Sequence, residues 1–122
     1  MRLKSFTAEP EAIASYAQVI ELEGGDAATY YNMALAHEEL GQYVLAIKHF
    51  RSALNLDPTY SEAWYGLGCC FDAQNQHDEA IEFYDRAITI SPEIAEYWYA
   101  KADSEHALGH LGRAADAYRH AV

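Results

Sequence analysis

Residues that could serve in catalysis or metal binding are few in this sequence, and they do not follow a known motif. The best candidates for a metal site are Cys69, Asp72, Asp103 and His106. Their thiol, carboxylate and imidazole groups are common metal ligands. However, the sequence has no C-x-x-C pair, no H-E-x-x-H pattern and no glycine-rich phosphate loop. We therefore expect no catalytic residue, no metal and no cofactor, and we predict that the protein is not an enzyme.

Tyrosines and acidic residues are more abundant in this sequence than potential metal ligands. The chain has ten tyrosines, and Tyr31, Tyr65 and Tyr99 are equally spaced along it. Its net charge is −11, and residues 61–94 hold seven acidic side chains and one basic one. Nucleic acids and anionic membranes both attract clusters of basic residues, and this sequence has none. We therefore expect neither a nucleic acid nor a membrane as partner.

The interval that separates these three tyrosines recurs elsewhere in the chain. The other matching positions are Tyr30, Trp64 and Trp98; Ala46, Ala80 and Ala114; Phe50, Tyr84 and Tyr118; Ala53, Ala87 and Ala121; and Pro58 with Pro92. Several registers that share one period of about 34 residues, with side chains of similar size, indicate an array of stacked structural units. Such an array is typical of a binding surface rather than of a catalytic pocket.

Each unit contains the patterns of two helices. Apolar residues at helical spacing, such as Trp64 and Leu67, form one face of a first helix, and a second face follows Gln76. Between the helices stand Gly41, Asn75 and Gly109, residue types that accept the left-handed conformation ending a helix. We expect antiparallel helix pairs, with Trp64 buried between its own pair and the preceding one.

Three sites suggest how the helices begin. Asp26 follows two glycines and is a candidate N-cap for a helix starting near residue 27. The pairs Asp57-Pro58 and Ser91-Pro92 each combine an N-cap residue with proline, which is favoured at the first helical position. Thr59 with Glu62 offers an alternative capping box one turn later.

At these residues the sequence resembles the tetratricopeptide repeat family. The family pattern has a large aromatic residue, Leu-Gly and an aromatic in the first helix, and Ala, an aromatic, Ala and Pro in the second. The last unit departs from it at Lys101 and Glu105, which replace Leu and an aromatic. The resemblance implies an all-α, right-handed superhelical solenoid of antiparallel helix pairs in one contiguous domain. Its parts are an N-terminal segment 1–26 with a leading helix from a partial repeat, repeats 27–60 and 61–94, and a truncated repeat 95–122.

The resemblance also implies a concave groove lined by the first helices. The groove positions are Tyr31, Leu35 and Glu38; Glu62, Tyr65, Cys69 and Asp72; and Glu96, Tyr99, Asp103 and His106. Tyrosine at these positions also fits a packing role, and the acids also fit a solvated surface. Some family members clamp C-terminal carboxylates with basic residues. Here Glu96 occupies a place that needs a cation, so that function is not expected.

The function predicted from these positions is a non-catalytic protein–protein interaction scaffold. The acidic, Tyr-lined groove would hold a peptide segment of a partner, and a basic or basic-aromatic peptide fits it through cation–π contacts and charge pairs. The alternative is a self-assembly module, or a fragment of a longer repeat array, that forms homo-oligomers end to end. The apolar residues for that association are Ile13, Tyr16, Tyr118 and Ala121.

The cysteines and the N-terminal residues bear on location. Cys69 and Cys70 are adjacent, and neighbours on a helix do not readily form a disulfide. We interpret them as small, buried or half-buried thiols in a reducing compartment. The first residues lack the apolar run of a signal peptide, and no stretch is apolar for long enough to span a membrane. We therefore expect a cytoplasmic protein without a membrane span.

Overall fold

The computed structural model describes residues 10–122, and the side chains of that range except those of residues 10 and 21–23. Residues 1–9 of the predicted N-terminal segment lie outside this description. The described part contains no strand, and its α-helices confirm the all-α prediction. They are α1 (Pro10–Glu23), α2 (Ala27–Glu39), α3 (Tyr43–Leu56), α4 (Ser61–Ala73), α5 (His77–Ile90), α6 (Ala95–Ala107) and α7 (Leu111–Ala121).

The helices fall into two compact units, which divide between Pro58 and Thr59. In the first unit, α1 packs on α2, and α2 pairs with α3. In the second unit, α4 pairs with α5 and α6 with α7, while α6 also packs against α5 and touches α4. The fold is therefore an all-α solenoid built from helix pairs, as predicted.

The turn within each pair depends on one residue in the left-handed region. Gly41, Asn75 and Gly109 have φ angles of 74°, 63° and 81°. In the second pair, the backbone N–H of Gln76 then donates to the carbonyl of Phe71 at 2.9 Å, which closes a Schellman motif. The prediction made for these three positions is confirmed. Each turn reverses the chain within a few residues and makes the pair antiparallel.

Small residues allow the two helices of a pair to approach closely. Ala80 and Ala87 on α5 are fully buried. Opposite them, a Cβ atom at Gly68 on α4 would clash with the ring of Tyr84. Glycine at this position therefore lets the Tyr84 ring lie flat against the backbone of α4, where it is only 1% exposed.

The helix starts are partly as predicted. Asp26 is the N-cap of α2, and its Oδ1 accepts a hydrogen bond from the backbone N–H of Thr29 at 2.8 Å. The predictions for Asp57 and Ser91 are wrong, because these residues are the C-caps of α3 and α5. The prolines that follow push them out of the helical region. The next helices begin only at Ser61 and Ala95. The N-cap of α4 is Tyr60, so Thr59 does not serve as its capping residue.

Trp64 is half-buried, which corrects the prediction of a buried ring. Its indole stacks on Phe83 of α5 with 6.1 Å between the ring centroids. The guanidinium carbon of Arg86 lies 4.9 Å from the centroid of the same indole. A charged, solvated side chain therefore covers part of Trp64, and that arrangement leaves the ring in contact with water.

Candidate functional site

Each predicted groove tyrosine packs against a ring on the second helix of its own pair. The pairs are Tyr31 with Phe50 (5.8 Å between centroids), Tyr65 with Tyr84 (5.7 Å) and Tyr99 with Tyr118 (5.5 Å). Tyr31 and Tyr65 are half-buried, whereas Tyr99 is 57% exposed. All three tyrosines thus have a packing role, and Tyr99 keeps the most ring surface for a ligand.

Tyr97 joins the first helices of the second unit to each other. Its ring lies 5.0 Å from that of Tyr65, and its hydroxyl shares a 3.1 Å hydrogen bond with the Ser61 hydroxyl. Ser91, at the end of α5, donates to the same Ser61 oxygen at 3.1 Å. These contacts hold the start of α4 beside the start of α6.

The Tyr97 phenol is influenced by burial and by three nearby acidic residues. Burial raises the pKa of Tyr97, and the negative charges of Glu62, Glu96 and Glu93 raise it further, against an opposing hydrogen bond from Ser61. All three glutamates are exposed. They come from α4, from the turn before α6 and from the first turn of α6. Exposed carboxylates therefore lie at or just before the starts of these two helices.

Asp72 is a structural acceptor inside the second unit. Its carboxylate accepts hydrogen bonds from His77 at 2.7 Å, from the Tyr84 hydroxyl at 2.5 Å and from the Ser104 hydroxyl at 2.7 Å. The donors belong to α5 and α6, so Asp72 ties three helices together. A peptide in the groove would have to compete with these donors for the carboxylate.

The remaining groove residues of the second unit differ in their contacts. Asp103 is exposed and accepts a hydrogen bond from the Tyr118 hydroxyl at 2.5 Å. That hydrogen bond is the main cause that raises the pKa of Tyr118 to about 12. His106 is exposed, whereas Cys69 is half-buried with its Sγ 3.8 Å from the Tyr84 hydroxyl. Asp103 and His106 are therefore reachable by a ligand, and Cys69 is largely part of the packing.

In the first unit, Glu38 occupies the position that Asp72 has in the second. It is half-buried, and burial, together with the charge of Glu39, raises its pKa to about 7. Phe50 stands where Tyr84 stands and has no hydroxyl to donate. Leu35 is half-buried on the same helix. The acid of this unit is thus a weakly ionised group near neutral pH rather than a firm anionic contact.

Residues 10–122 contain neither a cluster placed to hold a metal ion nor a helix able to span a membrane. No group of three or more His, Cys, Asp or Glu side chains there is placed to hold a metal ion. Cys69 and Cys70 do not form a disulfide, and Cys70 is fully buried. Of the helices described, none has the length and apolar character needed to cross a membrane.

The role of Tyr97 was not predicted from the sequence. Its equivalents in the two preceding repeats are Ala63 and Thr29, so Tyr97 is a large ring where the other repeats have a small side chain. That break in the register was visible in the sequence. The contacts that Tyr97 makes depend on Ser61 and Tyr65, which lie opposite it on another helix. No pattern along a single helix shows that arrangement.

Comparison with known proteins agrees with the fold of helix pairs. Models of the family described as Tetratricopeptide repeat match residues 25–93 and 95–122. No curated protein matches the chain significantly. Among solved structures, two crystal structures of MamA are each 27% identical, with TM-scores of 0.86 and 0.85. They cover 91% and 89% of this chain. A double mutant of MamA RS-1 is 21% identical, with a TM-score of 0.85 over 91% of this chain.

The similarity to MamA covers only part of that protein. This chain spans 61%, 64% and 62% of the three MamA chains, which is less than two thirds of each. The match shows the fold of the repeat array. Together with the family match, it supports a protein-interaction scaffold as the general class of function.

Proposed function

The chain belongs to the tetratricopeptide repeat family, and from that membership we propose that it is a non-catalytic scaffold that binds a peptide segment of a partner protein. The peptide lies along an acidic surface formed by Glu62 and Tyr65 of α4 and by Glu96, Tyr99 and Asp103 of α6. We call these five residues the acidic surface. The matching ligand is a peptide that carries Lys or Arg, with or without an aromatic residue.

The observation that carries this proposal is the Ser61–Tyr97 hydrogen bond, which joins the starts of α4 and α6, where Glu62 and Glu96 are exposed. The charges of these two residues and of Glu93 also raise the pKa of Tyr97. Three carboxylates that raise the pKa of one phenol create a negative potential around it. A cationic side chain would relieve their mutual repulsion. An acidic peptide would add to it, which is why a basic peptide is the better ligand.

Tyr99 supplies the second element of the surface. Its ring is 57% exposed, and Tyr118 fixes it from one side in an edge-to-face contact. Glu96 precedes it by one helical turn and Asp103 follows it by another, so both carboxylates share its helix face. A guanidinium or ammonium group above the Tyr99 ring would gain a cation–π contact and a nearby counter-charge.

Peptide arrays with charge-reversed variants test this function. Basic, basic-aromatic and acidic peptides of equal length are compared for binding to the wild type, to Glu62→Lys with Glu96→Lys, and to Glu79→Lys with Glu82→Lys. The last variant is the matched control, because Glu79 and Glu82 are exposed on α5 and give the same change in net charge. Binding should weaken from low to physiological salt, where the Debye length is about 8 Å.

The expected result is selective loss of binding. The wild type and the α5 control should bind basic peptides. The Glu62/Glu96 variant should no longer bind them, although its helical content should be unchanged. Equal binding by all three proteins, or preference for acidic peptides, would refute the acidic surface as the binding site. Tyr99→Ala should also weaken the binding of basic-aromatic peptides, because it removes the exposed ring.

Self-assembly through Ile13, Tyr16, Tyr118 and Ala121 remains the second prediction. These side chains are half-buried in their own units. A concentration series of the solution mass distinguishes this function from monomeric peptide binding. Growth in mass that persists in Glu62→Lys with Glu96→Lys would favour assembly.

A further inference from the structure

The packing around Trp64 recurs one repeat earlier with different rings. In the repeat that contains Trp64, Phe83 lies 6.1 Å from Trp64 and 5.0 Å from Phe71, measured between ring centroids. The equivalent residues of the preceding repeat are Tyr30, His49 and His37, with centroid distances of 6.3 Å and 5.2 Å. In both repeats, a ring on the second helix is therefore inserted between two rings on the first helix.

The last repeat lacks the inserted ring. The position of Phe83 is taken by Ala117, which is 2% exposed, and the position of Phe71 is taken by Glu105. Trp98 is retained, and its Nε1–H donates to the carbonyl of Pro92 at 2.8 Å. His120, at the position of Arg86, stacks on Trp98 at 4.2 Å with 13° between the ring planes. The indole is thus held in place by His120, while no ring occupies the position that Phe83 has in the preceding repeat.

That space is a cavity of about 260 Å³. Its lining residues are Trp98, Lys101, Glu105, Arg113, Asp116, Ala117 and His120. Ala117 and Glu105 are buried, whereas Arg113, Asp116 and His120 are exposed. The cavity therefore has a buried end at Ala117 and a polar rim that opens to solvent.

Three of the four charged lining residues are paired within the protein, and the fourth, Arg113, has its guanidinium 3.4 Å from the His110 ring nitrogen. Lys101 forms a 2.7 Å ion pair with Asp85, and Oε1 of Glu105 accepts a 2.8 Å hydrogen bond from His110. Asp116 pairs with Arg119. The two acidic and two basic lining residues also balance each other in charge. A neutral ligand therefore suits the cavity better than an ion, which would have to displace these pairs.

We propose that this cavity binds the aromatic side chain of a residue from a partner polypeptide, in the place that Phe83 fills in the preceding repeat. The ring would stack beside Trp98 and contact Ala117, and its backbone would lie at the rim formed by Arg113 and Asp116. Even about 150 Å³ of apolar cavity is enough to hold benzene, so the volume is sufficient for a phenyl or phenol ring. The cavity involves different residues from the acidic surface and does not depend on it.

Titration with capped amino acids tests the site directly. The ligands are N-acetyl-phenylalaninamide, the leucine and arginine analogues of the same form, and toluene as a bare ring. The indole Nε1–H signals of Trp98 and Trp64 are followed by NMR, with Trp64 as the internal control. The expected result is a saturable shift of Trp98 alone. The phenylalanine ligand should bind at least threefold more tightly than the leucine ligand, because only a ring can stack on the indole.

Variants identify the cavity as the place of binding. Ala117→Phe supplies the missing ring from within and should abolish the Trp98 shift. Ala115→Phe adds the same ring at an exposed position of α7 and should leave the shift unchanged. If Ala117→Phe loses helical structure, Ala117→Leu fills part of the cavity and should weaken binding at least threefold.

Other outcomes would overturn the proposal. The phenylalanine ligand could leave the Trp98 signal unshifted, or it could shift the Trp98 and Trp64 signals equally. Binding could also persist in both Ala117→Phe and Ala117→Leu. Tighter binding of the arginine ligand would show that the cavity selects a cation instead of a ring. Binding of toluene without the capped amino acid would show a small-molecule cavity that a polypeptide side chain does not enter.

Discussion

The hydroxyl of Ser104 on α6 donates a hydrogen bond to the carboxylate of Asp72 on α4 at 2.7 Å, although the two residues are far apart in the sequence. The same carboxylate accepts from Tyr84 and His77. Because Tyr84 is buried, its hydroxyl depends on this acceptor. Asp72 therefore connects two successive helix pairs, and its role in the second unit is first of all structural.

Asp72→Ala should lower the free energy of unfolding by about 2–4 kcal/mol, because the change leaves the buried Tyr84 hydroxyl without its carboxylate acceptor. It also removes charge-assisted hydrogen bonds, each worth about 1.5–3 kcal/mol before non-additivity. Asp103→Ala is the control, because its Tyr118 partner lies near the surface, and it should cost less than about 1 kcal/mol. Urea unfolding measures both. Equal losses would mean that Asp72 is not a structural centre.

Gly109→Ala and Gly112→Ala should have opposite effects on stability. Gly109 has φ of 81°, so a Cβ there is strained, and we expect a loss of about 1 kcal/mol. Gly112 is within α7, and an added Cβ would meet no atom within 4 Å. Alanine is a better helix former there and should add up to about 1 kcal/mol. Thermal unfolding of the two variants shows the signs, and stabilisation by Gly109→Ala would contradict the turn geometry.

Glu38→Gln should stabilise the protein at pH 8 and have little effect at pH 4. Burial raises the pKa of Glu38 to about 7, above its ordinary value of 4.5. The folded protein therefore binds this proton more tightly than the unfolded chain, and stability is lost as pH rises from 4.5 through 7. Gln removes that loss. We expect about 1–2 kcal/mol at pH 8, reduced from the full shift because part of the side chain reaches solvent.

Urea unfolding of the wild type and Glu38→Gln at both pH values provides the measurement. Glu82→Gln is the control, since Glu82 is exposed on α5 and should change stability little at either pH. A stabilisation by Glu38→Gln that is the same at pH 4 and pH 8 would show that Glu38 ionises normally.

Trp64→Ala should cost about 2–4 kcal/mol, below the usual upper range for a core aromatic because the ring is half-buried. Trp98→Ala should cost about 1 kcal/mol less, because Trp98 stacks on the exposed ring of His120, whereas Trp64 stacks on the half-buried ring of Phe83. Chemical denaturation of the two variants tests the comparison. A greater loss at Trp98 would mean that His120 and the surrounding ion pairs hold that ring more firmly than Phe83 holds Trp64.

The helices, their turns and the repeat family could be predicted from the sequence. Helical periodicity, the small residues at Ala80 and Ala87, and the glycine or asparagine at each turn are local features that recur from one repeat to the next. Backbone preference decides such features within a few residues. The helix starts at Asp57 and Ser91 were predicted wrongly, because cap residues before proline fit the end of one helix as well as the start of another.

Only the tertiary structure decided the hydrogen-bond partners and the burial of individual side chains. Asp72 and Glu38 occupy the same repeat position and were predicted as similar groove acids. Tyr84 and Ser104 engage Asp72 as an acceptor, whereas burial raises the pKa of Glu38. Likewise, Ala117 is one small residue in the sequence, yet it leaves a cavity beside Trp98. Burial and hydrogen bonding depend on side chains brought from other helices, and the pattern along one helix does not contain them.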